Sequence, residues 1–171
     1  QFVNPHKRQK KLLGAFFNFP DKTMAIGRLD VNSEGLLLLT TNGKVSEEIR
    51  SKKVEKEYYV QLDGCITQED INILKSGVII GFKGEKYTTK PCKSSLIPVP
   101  NFKDRTQKIR DERHGPTSWI SITLKEGKFR QVRKMTAAVG FPTLRLIRIR
   151  VGSILLENLK LGEVKEVPSF F

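Results

Sequence analysis

Gly27-Arg28-Leu29-Asp30-Val31-Asn32-Ser33-Glu34-Gly35-Leu36-Leu37-Leu38-Leu39-Thr40-Thr41-Asn42-Gly43 is the stretch on which the reading of this chain turns. A short apolar strand, Met24 to Ile26, leads into it. The chain then breaks into a polar loop from Asp30 to Gly35 and resumes as four leucines and two threonines. It stops at Asn42-Gly43, a dipeptide that favours turns. A carboxylate is thereby placed where a buried strand gives way to a loop. Such a position holds a side chain firmly and leaves one face open to a partner. A plain hairpin whose loop happens to carry an aspartate fits the same pattern.

The charge of the chain points to the kind of partner. The net charge is +13 over 171 residues, which suits a polyanion, most simply a nucleic acid. Its distribution argues against a merely solubilising surface. From Lys125 to Arg150 eight basic residues stand against Glu126 alone, a net +7, whereas a solvated face mixes its signs. A second basic group, His6, Lys7, Arg8, Lys10 and Lys11, opens the chain, either as a flexible arm on phosphate or as a solvated loop.

Length and composition fit one domain with a real core, spanning residues 1–171 and open to division into two lobes. No run of about eighteen apolar residues is present, so no membrane span is expected. Cys65 and Cys92 fit no metal spacing and make no disulfide framework. They read as free thiols in a reducing cytoplasm.

Periodicity supplies the elements. Val45 and Ile49 predict a short helix over Lys44 to Lys52, and Lys56 to Leu62 alternates as a strand. Thr67 and Asp70 form a capping-box signature before Ile71, Leu74 and Val78, with Gly77 as the stop. Short strands follow within Val78–Val99. Residues 100 to 115 read as a mobile loop, where His114 has no metal-ligand spacing. Thr117 to Leu124 predicts a strand and Phe129 to Val139 an amphipathic helix. That helix gathers Val132, Met135 and Val139 on one side and Arg130, Arg133 and Lys134 on the other. Thr143 to Val151 is a strong strand whose arginines shift phase across Leu146-Ile147, the mark of a bulge or an exposed end. Leu159 to Val167 reads as a closing strand. Strands and helices interleave without a repeated βα unit, so the expected fold class is α+β with a mixed, largely antiparallel sheet and flanking helices.

The stretch from Gly27 to Gly43 resembles the catalytic motif of the RsuA-type pseudouridine synthases, Gly-Arg-Leu-Asp, a few polar residues, then Gly-Leu-Leu-Leu-Leu-Thr-Asn-Asp-Gly. Thr41 and Asn42 stand where the family has Asn and Asp. Two more stretches resemble motifs of that family: Lys56-Glu57-Tyr58-Tyr59-Val60 its Lys-x-Tyr-x-Val, and Leu124 to Met135 its Leu-x-Glu-Gly-(Lys/Arg)-x-(His/Arg)-Gln-Val-Arg-(Arg/Lys)-Met. The continuation to Arg148 is most similar to a branch that modifies 23S rRNA and lacks an S4-type RNA-binding domain. The family's first strand, with Lys-Pro-x-Gly, is expected before Gln1.

The resemblance implies the pseudouridine synthase catalytic fold, with a central cleft and Asp30 at its floor. It implies isomerisation of a uridine in ribosomal RNA, with no cofactor and no metal, because no group is lost and no electron is transferred. Asp30 is then the nucleophile or base at the ribose. Arg133 is the cation that pairs with it and favours its charged form. Tyr58 stacks on the target base, Leu124 helps to wall the pocket, and Lys56 supports the carboxylate or meets phosphate. Arg28, Lys128, Arg130 and Lys134 are the remaining substrate-binding candidates. The target base must be unpaired or flipped, and the expected enzyme is a monomer. A non-catalytic ribosome-assembly protein explains the charge equally well, but not three motifs at once. A nucleosidase using Asp30 on the same bond would release free base.

Overall fold

The computed structural model describes residues 2, 11–51, 54–103 and 114–170. His6, Lys7, Arg8 and Lys10 of the basic start, and most of the loop read over 100 to 115, lie outside the described residues. In chain order the elements are β1 (Met24–Ala25), β2 (Glu34–Gly35), β3 (Leu39–Thr40), α1 (Gly43–Arg50), β4 (Lys56–Asp63), α2 (Gln68–Ser76), β5 (Ile79–Phe82), β6 (Glu85–Thr88), β7 (Lys93–Ile97), β8 (Thr117–Leu124), α3 (Gln131–Ala138), β9 (Thr143–Val151) and β10 (Ile154–Leu155). A short 3-10 turn, Leu13–Ala15, precedes them.

The main sheet has the order β10-β9-β4-β8-β7, with β2 added beside β9. All of its pairings are antiparallel except β2 on β9, which is parallel. The fold is therefore the expected α+β with a mixed, mostly antiparallel sheet. β1–β3 and β5–β6 are separate two-stranded ladders.

The alternation of β4 and β8 puts Val60, Leu62, Ile120, Ile122 and Leu124 on one face. There they meet Ile71 and Leu74 of α2 and Val132 and Met135 of α3 in the larger core. Met135 is fully buried, so truncating it to Ala would cost about 2 to 5 kcal/mol. A smaller core joins Ile26, Leu36, Leu38, Ile49 and Val151. The capping box stands as read: Thr67 Oγ1 accepts from the Asp70 N–H, and Asp70 accepts from the Thr67 N–H. Among the described residues no helix is long and apolar enough to cross a membrane.

Three expectations need correction. Asn42-Gly43, read as a turn dipeptide, is the start of α1: Asn42 Oδ1 accepts the N–H groups of Lys44 and Val45, at 2.9 and 3.4 Å. The same short amide that suits a turn suits a helix cap. The leucine run forms a ladder only at Leu39–Thr40. The tail from Leu159 to Val167 is irregular apart from a turn at Leu161–Gly162, not a strand, with Leu161 95% exposed. The phase shift of the β9 arginines does reflect bulges, but they flank Leu146-Ile147. Tyr58 faces Arg148 while Glu57 faces Arg150, and Gln61 faces Arg145 while Leu62 faces Thr143, so Ile149 and Leu144 are the extra residues.

Candidate active site

The loop between β1 and β2 carries Asp30. It closes on itself through the Ser33 N–H, which donates to the Asp30 carbonyl at 2.9 Å. Its exit is pinned by β2. Gly35 lies so close to β9 that a Cβ would stand 2.3 Å from the Arg148 carbonyl oxygen, and its φ of +99° is itself glycine territory. The Leu36 N–H donates to that same carbonyl at 2.8 Å, and Arg148 Nε donates to the Leu36 carbonyl at 2.7 Å. Only a residue without a side chain lets the loop return this tightly.

Three arginines from distant parts of the chain grip the loop. Arg145 holds Glu34 by a two-pronged contact, Nε to Oε1 at 3.1 Å and Nη2 to Oε2 at 2.9 Å. That geometry suits a planar guanidinium and a carboxylate. Arg148 adds the bond to Leu36. Arg133, on α3, donates from Nη2 to the Asn32 carbonyl at 2.7 Å and from Nη1 to the Thr143 carbonyl at 3.3 Å. Ser33 Oγ lies 3.4 Å from the same Nη2.

The guanidinium nearest Asp30 is that of Arg130. Its Nη1 stands 3.8 Å from Oδ2, with the aspartate side chain 21% and the arginine side chain 41% exposed. This is a long, half-open ion pair, a class worth about 0 to 1 kcal/mol, so a substrate group can displace it. Arg130 sits at φ +53° just before α3, a conformation that bulky side chains rarely adopt. Arg133 reaches the same loop two and three residues further on. The motif's two arginines thus divide between the carboxylate and the backbone that carries it.

A buried post fixes the turn that presents Arg130. Glu126 is 6% exposed. Its Oε2 accepts from the Tyr87 hydroxyl at 2.7 Å, and its Oε1 accepts from the Lys90 N–H at 2.8 Å and from Gln131 Nε2 at 2.7 Å. Gln131 Oε1 in turn accepts the Lys128 N–H at 2.9 Å. Burial pushes the Glu126 carboxyl up, but the hydrogen bonds from Tyr87, Lys90 and Gln131 outweigh it and hold the group below its ordinary value.

Tyr58, Lys56 and Leu124 come together through strand register. Lys56 lies opposite Leu124, and Tyr58 lies between Ile122 on one side and Arg148 on the other. Tyr58 is half-buried against the larger core, and Leu124 is a member of it. Lys56 Nζ donates to the carbonyls of Val54 at 2.9 Å and Ser51 at 3.4 Å. Burial, with Arg148 nearby, pushes its pKa down.

Four further residues shape the site. Arg145 and Arg148 are 8% and 6% exposed; the signal was the broken phase of β9. Glu126 and its partner Gln131 form the post; the signal was one acid in a +7 segment.

The family model described as RNA pseudouridylate synthase matches residues 2–138. The chain belongs to that family. Its ribosomal large subunit pseudouridine synthase E relative in Vibrio parahaemolyticus is 41% identical over 145 residues, covering 84% of this chain and 59% of the relative. The relative of the same name in Xanthomonas axonopodis pv. citri is 36% identical over 162 residues, 93% of this chain and 83% of the relative. A crystal structure of a pseudouridylate synthase superposes with a TM-score of 0.69 at 33% identity, over 88% of this chain and 59% of that one. The chain thus spans about three fifths of the length of the Vibrio relatives it matches. The synthase fold carries Asp30 on the loop and Tyr58 on the sheet.

Proposed function

We propose that this chain converts a specific uridine of ribosomal RNA, in the large subunit's 23S species, to pseudouridine, with Asp30 as the catalytic carboxylate. One observation carries the reading: Asp30 sits on a loop held by Arg133, Arg145 and Arg148, yet among the described residues its own carboxylate makes only a long, half-open pair with Arg130. A rigidly carried carboxylate left available to a ligand is what attack on, or proton abstraction from, a ribose requires. The relatives named ribosomal large subunit pseudouridine synthase support the substrate class.

In the reaction the C1′–N1 bond of the target nucleotide breaks and the uracil rotates. A C1′–C5 bond forms, the C5 hydrogen leaves to solvent and N1 gains a proton. Atoms and electrons balance within the nucleotide and water. Asp30 acts at the ribose, Tyr58 stacks on the uracil, and Leu124 backs the pocket. Arg133 keeps the loop in place, and Arg130, beside Asp30, exchanges the carboxylate for the incoming RNA. Arg28, Lys128 and Lys134 contribute positive charge for the backbone, so affinity falls with salt, while Lys56, held on the Val54 and Ser51 carbonyls, braces the start of β4. The enzyme acts as a monomer.

The test is tritium release from ribosomal RNA transcribed with C5-tritiated uridine, followed by analysis for free uracil. Tritium release with no free uracil supports isomerisation. Free uracil would make the chain a nucleosidase, and no release with intact binding would make it an RNA-binding protein.

A further inference from the structure

The motif's variable position, Phe129, has no role in the reading above. The residue is 52% exposed and lies next to Arg130. An exposed phenylalanine is unremarkable by itself, but this one is flanked by cations. The Arg28 guanidinium lies 5.3 Å from the ring centroid and the Lys134 ammonium 5.6 Å. Lys134 also donates to the Gly81 carbonyl on β5. The stripe continues there: Lys128 Nζ stands 4.7 Å from the ring centroids of both Phe82 and Tyr87, and Lys83 Nζ stands 5.8 Å from Phe82. Cations and aromatic rings therefore alternate from beside Asp30 to the tip of the β5–β6 hairpin.

That alternation matches single-stranded RNA, in which each nucleotide offers one base face and one phosphate. We propose that Phe129 is the stacking platform for the nucleobase next to the target uridine. Arg28 and Lys134 then take the adjoining phosphates, and Lys128, from the turn before α3, and Lys83, at the hairpin tip, continue the track. The proposal rests on the function given above and adds to it a subsite for the flanking nucleotide. It answers a need of the chemistry: a nucleotide drawn into a pocket loses its stacking neighbour, and an aromatic ring at the pocket rim restores one. Energies permit the exchange. An exposed cation over a ring is worth roughly two- to fivefold in equilibrium, whereas a base stacked on an aromatic side chain is worth about 5- to 150-fold. A base can therefore displace the cations towards its own phosphates.

The test uses the full chain and a fluorescein-labelled oligouridylate, with affinity measured by anisotropy across a salt series. Phe129→Ala is expected to weaken binding about tenfold or more at every salt concentration and to leave the salt slope unchanged, because no charge is lost. Phe129→Trp is expected to bind at least as tightly as the parent. Lys134→Ala is expected to lower the slope by about 0.7, the value for one phosphate of a single strand. Since the ring is exposed, thermal melting of Phe129→Ala should match the parent and so verify folding. Unchanged affinity of a folded Phe129→Ala variant, or a fall in affinity for Phe129→Trp as large as for Ala, overturns the platform. Tritium release by the unaltered chain separates this outcome from the functional reading. Release with an unaffected Phe129→Ala affinity defeats the platform alone, and absence of release with the predicted binding losses defeats the activity alone.

Discussion

Arg133 Nη2 donates to the carbonyl oxygen of Asn32 at 2.7 Å, although a hundred residues of chain separate the two. The bond ties the first turn of α3 to the loop that holds Asp30, and the Nη1 contact with the Thr143 carbonyl ties both to β9. One planar guanidinium thus spans three elements at the point where the carboxylate must be held still.

Replacing Arg133 should accordingly harm turnover more than affinity. For Arg133→Ala we expect the single-turnover rate at saturating enzyme to fall about a hundredfold, the scale of a misplacement of about 1 Å, while the dissociation constant changes far less. Arg133→Lys should recover little, because an ammonium lacks the fork that reaches both carbonyls. Rapid-quench tritium release, paired with anisotropy, separates the two effects. A saturated rate within a few fold of the parent would remove Arg133 from the positioning role.

Gly35→Ala should cost at least ~1 to 2 kcal/mol from its positive φ alone. The added Cβ would also meet the Arg148 backbone. We expect a lower urea midpoint and lost activity together, since β2 can no longer lie against β9. A stable variant with full activity would mean that the loop's return path is not fixed at this point.

What the chain disclosed in its sequence follows the range of the interactions involved. The capping box of Thr67 and Asp70 is local and was legible, as were the alternation of Thr117–Leu124 and the limits of Thr143–Val151. Asn42 was misread because turns and helix starts use the same side-chain acceptor. The parallel pairing of Glu34–Gly35 with Ile147–Arg148 could not be read, because its partner lies more than a hundred residues away. The site divides likewise. The motifs brought out Asp30, Tyr58, Arg130 and Arg133. That Arg130 rather than Arg133 lies nearest the carboxylate depends on the left-handed backbone at Arg130, which nothing in the local sequence demands.

Glu126 should give the fold an acid-sensitive joint. Its folded pKa is held below the ordinary value of 4.5, so its contribution is fully present above the unfolded pKa. It is lost as pH falls through the lower folded value. Glu126→Ala leaves the Tyr87 hydroxyl, the Lys90 N–H and the Gln131 amide without their acceptor. We expect a loss of about 1 to 3 kcal/mol at pH 7 and a smaller loss near pH 3. Urea midpoints at the two pH values check this. An equal loss at both would mean that the ionised carboxylate is not what holds the post together.

The most direct measurement is the single-turnover rate of Asp30→Asn on C5-tritiated ribosomal RNA at saturating enzyme, taken with its affinity for the same RNA. Asparagine keeps the shape of the side chain and removes the charge, so the loop contacts of Arg133, Arg145 and Arg148 are left in place. The account predicts tritium release indistinguishable from background, with RNA bound as tightly as by the parent or somewhat more tightly, because a negative charge near phosphate has gone. A residual rate within tenfold of the parent would contradict it and remove Asp30 from the chemistry.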